Sequence, residues 1–263
     1  MFEPLRVHAP ESFPEKWPEL PMLQDLLDRR DPPVRAAIGL PLRLVPQPRR
    51  VRRAELSYEE RTFVRAELQV RPGSWHDLFN LLVWLAFPRA KAALNARHWT
   101  ASRQRAASGA TNRGRIEDAL TLFDEGGVIV AAASPELIAR LRAFEWKDLF
   151  WCRRDEVMRS MRFALFGHAL YEKALRPFAG ITGRGICFEV DAGFLQEPPA
   201  VQLHELDRRL AAHISDPGRL SATRDLAHVP ILGVPGWCAG NELESYYDNT
   251  DYFRPRPPRR HAE

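Results

Sequence analysis

The stretch Trp75-His76-Asp77-Leu78-Phe79-Asn80-Leu81-Leu82-Val83-Trp84-Leu85-Ala86-Phe87 decides the fold class. It is apolar nearly all round, which is the composition of a helix buried on every side. Ser74 stands before it with Asp77 three positions on, a capping-box pattern with Asp in place of Glu or Gln. Asn80 interrupts the apolar run and Pro88 closes it, so it falls short of the ~18 residues a membrane span requires. Pro88 either kinks the helix or opens a second one as its first residue. Arg89–His98 continues the helical pattern and sets Lys91, Asn95 and His98 at i, i+4 and i+7 on one face. That face is either solvated or turned toward the same hollow as His76.

Outward from this helix, helical patterns alternate with short strands. Residues 1–48 hold 10 of the 22 prolines, and proline suits neither helix interiors nor sheet ladders. Residues 1–53 therefore read as an arm docked on the body through Phe13, Trp17, Leu23 and Leu27. A short helix at Pro21–Arg29 and the basic run Arg49-Arg50-Val51-Arg52-Arg53 belong to it. A single globular domain follows over 54–256, then a basic tail over 257–263. Within the domain, Leu120–Phe123 and Val128–Ala131 flank Asp124-Glu125-Gly126-Gly127, which predicts a β-hairpin. Ala101–Arg115 reads as an exposed loop and Arg153–Leu175 as one long helix. Gly185–Val190 and Pro230–Val234 read as strands, and Val201–Ile214 as an amphipathic helix. The sum is an α+β fold, helix-dominated, with a small sheet or hairpins beside the central buried helix.

Hydrophobic residues make up 45% of the chain and charged residues 27%, which excludes wholesale disorder. The net charge of +4 rests on 34 Arg and 4 Lys. That skew reflects base composition of a genome, and a net charge this small does not by itself make a nucleic-acid binder. Cys152, Cys187 and Cys238 are odd in number and far apart, with no CxxC. They fit a reducing compartment and a cytoplasmic location, not a disulfide framework or a cysteine zinc site. The first residues lack the apolar core of a signal peptide.

Several clusters bear chemistry. His76 and Asn80 lie four apart on a helix that otherwise reads as core. A buried polar group left unpartnered costs ~1–3 kcal/mol, so Asn80 must bond either a loop carbonyl or a ligand in a polar pocket. In Gly167-His168-Ala169-Leu170-Tyr171-Glu172-Lys173, His168 and Glu172 are also four apart. That spacing suits half a divalent-metal site, a general base with its orienting acid, or a plain surface pair. A glycine within a helix, as Gly167 reads here, marks the close approach of another backbone or a ligand. Trp237 and Tyr246–Phe253 set aromatics among Asp248, Asn249 and Asp251, either to stack on a substrate ring or to strap the C-terminus to the body. Neither GxGxxG after a strand nor GxxxxGK[ST], HExxH or GxSxG occurs, which removes the common dinucleotide, P-loop, zincin and α/β-hydrolase readings.

The segments WHDLFN (75–80), FPRAKAALN (87–95), DALTLFDE (118–125), GHALYE (167–172), LGVPGW (232–237) and YDNTDYFRP (247–255) together resemble an uncharacterised bacterial family of unknown function and similar length. The resemblance runs from about Phe13 to Arg256 and implies a bacterial, cytosolic, single-domain protein. It implies no activity.

From the residues themselves, the expected function is a metal-assisted hydrolase acting on an anionic, phosphate-containing substrate. His76, His168 and Glu172 are its candidate catalytic residues. Asn80, Lys91, Asn95, Trp237, Tyr247 and Asn249 are candidates for substrate binding. A divalent ion would be held by His76, His168, Glu172 and Asp124. The alternative is a nucleic-acid-binding or regulatory module without catalysis, acting through Arg49–Arg53, the loop Arg103–Arg115 and Arg254–Arg260. Both readings exclude a membrane partner.

Overall fold

A computed structural model describes residues 1–9, 17–47 and 56–256. Phe13, the run Arg49–Arg53 and the basic tail lie outside the described residues. The first elements are α1 (Glu3–Arg6), α2 (Leu20–Asp28), β1 (Arg43–Pro46), α3 (Tyr58–Arg65) and β2 (Glu67–Val70). Two helices follow, α4 (Trp75–Ala86) and α5 (Pro88–Ala107), then α6 (Arg115–Gly126) and β3 (Gly127–Ala132). Next come α7 (Pro135–Ala143), α8 (Arg154–Ser160), β4 (Met161–Leu165) and α9 (His168–Ala174). The chain continues through β5 (Thr182–Glu189), α10 (Pro199–Ser215) and β6 (Ala227–Pro230). The fold is α+β. β1 and β2 form a parallel pair, and the main sheet has the order β4-β3-β5-β6 with β3 and β5 parallel at its centre.

α4 is the buried helix that its composition predicts. Every residue from Asp77 to Leu85 is buried, and Leu81 and Val83 have no exposed surface at all. Each such side chain stabilises the fold by ~1.5–3 kcal/mol relative to exposure. Ser74 caps the helix, its Oγ accepting from the Asp77 amide at 3.2 Å. Pro88 opens α5 as its first residue. The residue before a proline is pushed out of helical geometry, and Phe87 turns at φ −130°, ψ 58°. α5 has no side-chain cap of its own. Asp207 of α10 supplies one, accepting from the amides of Arg89 at 3.2 Å and Ala90 at 2.8 Å.

Two sequence expectations are corrected here. Leu120–Phe123 is not a hairpin strand: Leu120 and Phe123 share the buried face of α6, and the chain runs from Gly126 straight into β3. The long helix is broken as well. β3 is buried along its whole length and recruits Met161–Leu165 as an antiparallel neighbour, overriding helix propensity. Gly167 thus stands as N-cap of α9 rather than inside a helix. The close approach it was expected to mark is real. A Cβ at Gly167 would lie 2.4 Å from both the Glu125 carbonyl oxygen and the Gly127 nitrogen. Gly167→Ala is therefore expected to lower folding stability by ~1–3 kcal/mol, measured by urea unfolding, because backbone must shift to admit the methyl.

Candidate functional site

Four helices converge where that close approach brings α9 against the end of α6. α4 presents His76 in its first turn, and α9 presents His168 as its first residue with Glu172 one turn on. α6 contributes Asp124 and α5 Lys91. The Nε2 atoms of His76 and His168 are 3.0 Å apart, with ring planes at 81°. His76 Nδ1 meets Glu172 Oε2 at 3.3 Å, and His168 Nδ1 lies 3.7 Å from Asp124 Oδ2. The other Asp124 oxygen accepts a short hydrogen bond from the Lys91 ammonium, which also lies 5.6 Å from the Trp84 ring centroid. The result is a line: Glu172, His76, His168, Asp124, Lys91.

With both imidazoles neutral, one set of tautomers satisfies both histidine contacts. A carboxylate only accepts, so the Glu172 contact requires the proton on His76 Nδ1. His76 Nε2 is then an acceptor, and His168 Nε2–H donates to it. That leaves His168 Nδ1, buried and without a hydrogen-bond partner, as the ring nitrogen without a proton. The two neutral imidazoles carry two protons for three contacts, so the pair has room for one more.

Burial holds the His168 imidazole down at about 4; Asp124 pulls the other way, while Lys91 and His76 add to the depression. Burial would raise the Asp124 carboxyl, but Lys91 and the His168 and His98 imidazoles outweigh it and keep the carboxyl below its ordinary value. The sign for stability follows from His168. Its folded value lies below the 6.5 of the ordinary imidazole, so the unfolded chain takes up the proton first. Stability is then full above pH ~6.5 and is lost as pH falls toward 4, by ~3 kcal/mol at ~1.4 kcal/mol per unit. Urea unfolding across this range is expected to show a shallower slope for His168→Gln than for the parent. The remaining slope comes from His8 and His213, which burial also depresses to about 4, and from His228, which burial and Arg184 lower.

His76 and His168 sit at the wall of a cavity of about 500 Å³. Asn80 lines it, its Nδ2 donating to the Tyr58 hydroxyl at 2.5 Å while its Oδ1 is buried and unpartnered. Five carboxylates face the cavity (Glu59, Asp77, Glu117, Asp124, Glu125) against three guanidiniums. Arg71 grips Asp77 with two nitrogens, at 2.9 and 2.8 Å, and Arg105 holds Glu117 at 2.9 Å. Arg113 alone of the three has no partner among the described residues. His98 also lines the cavity, 8% exposed and with no hydrogen bond to the described residues.

The sequence reading brought His76, His168, Glu172, Asp124 and Asn80 to one place, and the structure does so too. It places the other candidates elsewhere. Lys91 and Asn95 are 3% and 2% exposed, which corrects the solvated reading of their face and takes both out of substrate contact. Lys91 is sealed under Asp124, and Asn95 Nδ2 donates to the Glu59 carbonyl and carboxylate at 2.9 and 2.7 Å. Trp237, Tyr247 and Asn249 do not line the cavity. They belong to a C-terminal strap whose polar groups are spent on main chain. Tyr247 Oη donates to the Gly233 carbonyl at 2.9 Å, and Asn249 Oδ1 accepts from the amides of Asp251 and Tyr252. Trp237 meets Phe163 edge-on.

The expected metal cage does not form. Glu172 and Asp124 sit on the outer nitrogens of the two imidazoles, so the four donors lie in a row without a common centre. Among the described residues, no group of three or more His, Cys, Asp or Glu is placed to hold a metal ion. The basic stretches fare similarly: Arg49–Arg53, Arg259 and Arg260 lie outside the described residues, and Arg105 is tied to Glu117. Arg103 lies over the Trp99 ring. The loop expected over Ala101–Arg115 is helical as far as Ala107. Sequence reasoning missed Tyr58, Glu59 and Glu117 as cavity residues. Only Glu117 left a signal, three positions after Gly114, whose amide it accepts at 3.0 Å.

Residues 42–257 match the family described as Protein of unknown function (DUF3025). The chain belongs to this family. The match covers every element from β1 onward, and with it all five residues of the proton line. No curated protein and no solved structure matches the chain. Among the described residues, no helix is long and apolar enough to cross a membrane.

Proposed function

We propose that the chain is an enzyme of the hydrolase type working by general acid–base chemistry, with His76 moving the proton. The observation that carries this is the row of contacts from Glu172 through His76 to His168 beside a polar cavity, with Asp124 facing its buried end. His76 is the member that a substrate reaches, its side chain 36% exposed against 7% for His168. Glu172 orients it through Nδ1, as a carboxylate does for a catalytic imidazole. His168, neutral and buried, is a positioning residue: its Nε2–H holds His76 Nε2 at rest, and water or a substrate hydroxyl must displace that bond to hand its proton to His76 Nε2.

The lining favours a small, polar, neutral substrate. With five carboxylates to three guanidiniums, a phosphate ester would meet net repulsion and one unpaired arginine. The reading is tested by long-range nitrogen–proton NMR of the imidazoles at pH 7. His168 is expected protonated at Nε2 and bare at Nδ1, and His76 protonated at Nδ1. His76 protonated at Nε2 instead would sink the proposal, because the exposed ring could then take no proton there.

A further inference from the structure

A second cavity, of about 550 Å³, opens beside the β5–β6 edge of the main sheet, and its electrostatics are the reverse of the first. Arg142, Arg184, Arg224 and Arg256 line it together with His228, and the lone carboxylate is Asp225. That carboxylate is already engaged, its Oδ2 accepting from the amides of Ser221 and Ala222 and from the Ser221 hydroxyl. Among the described residues, no carboxylate lies within ion-pair distance of any of the four arginines.

Arg184 is the informative member. It stands on β5 directly opposite His228 on β6, paired in register across the sheet. Arg184 Nη1 donates to the neutral His228 ring, lying 2.6 and 3.1 Å from its two nitrogens, so its contact there is an imidazole and not a counter-ion. Arg184 is half-buried, and burial without a counter-ion pulls its guanidinium below the ordinary value. His228 is held down by burial and by Arg184. Phe144 leans over the pair, its ring 5.1 Å from His228, from a left-handed backbone position (φ 63°) that a bulky residue seldom takes. A fold that concentrates unpaired cations in a hollow, one of them half-buried, is completed by an anion.

We propose that this cavity binds a di- or polyphosphate group, free or carried on a nucleotide. Planar guanidiniums bind phosphate oxygens two at a time, which four convergent arginines do better than any isolated one. The Phe144 ring, on the wall shared with a neighbouring hollow lined by Trp146 and Tyr252, offers a face for the carrier. This site is separate from the histidine cavity and does not depend on the activity proposed there.

Isothermal titration calorimetry with inorganic pyrophosphate and with ADP, at low salt, tests it. Pyrophosphate is expected to bind, and Arg224→Ala to weaken it at least tenfold. Arg224 is exposed, so this variant keeps its fold, as an unchanged melting temperature will show. Arg184→Met should abolish binding. Arg113→Ala, in the other cavity, should leave affinity unchanged. ADP binding more tightly than pyrophosphate supports a nucleotide carrier, and equal affinity supports the free anion. No heat at millimolar pyrophosphate, or a loss on Arg113→Ala with Arg224→Ala unaffected, overturns the proposal.

Discussion

Asp124→Ala is expected to destabilise the fold by ~3–5 kcal/mol, the cost of leaving a buried ammonium without its counter-ion. Lys91 is 3% exposed and sealed under Asp124 beside the Trp84 ring, so removing the carboxylate leaves the ammonium without its counter-ion. The same substitution removes the anion that faces His168 Nδ1. The measurement is the urea midpoint at pH 7. A second variant separates the charge from the cavity left behind: Lys91→Met with Asp124→Leu removes both ions and keeps the volume, and it should recover most of the stability. Equal losses in the single and double variants would show that packing, and not charge, dominates there.

His76→Ala is the second large effect. Removing a positioned general base costs ~10²–10⁴ in rate, so any hydrolytic turnover found on a panel of chromogenic esters and amides should fall by that factor. Stability should hardly move, because His76 is partly exposed and its Glu172 partner is a weakly held surface contact. Glu172→Gln should cost less, since the amide still accepts from Nδ1 through its oxygen. Full activity in His76→Ala would remove His76 from the mechanism whatever the fate of the cavity.

How much of this was legible in the sequence depended on the range of the interaction. α4 was legible because an all-round apolar segment has one stable placement, and Ser74 capped it as its spacing predicts. Pro88 opened α5 for a local steric reason. The false hairpin and the false long helix share a cause: short apolar runs fit either period, and the strand that β3 does pair with, β4, lies dozens of residues further along the chain. Lys91 illustrates the same limit. On its own helix it reads as a surface cation, and only Asp124, 33 positions later, makes burial tolerable. His76 and His168 were legible as polar groups in apolar company, and Gly167 signalled that backbone packs tightly beside one of them. Tyr58 and Glu59 carried no such signal, because a tyrosine and a glutamate at a helix start are unremarkable until α3 is seen beside Asn80 and Asn95.

The cap that Asp207 places on α5 has a consequence for how the molecule is made. That carboxylate emerges from the ribosome 118 residues after Arg89, on the order of ten seconds later at ordinary rates of synthesis. Until then the first turn of a 20-residue helix has bare amides, and α10, which packs along it, does not yet exist. The N-terminal half of the nascent chain therefore reaches its final packing only after α10 has been made.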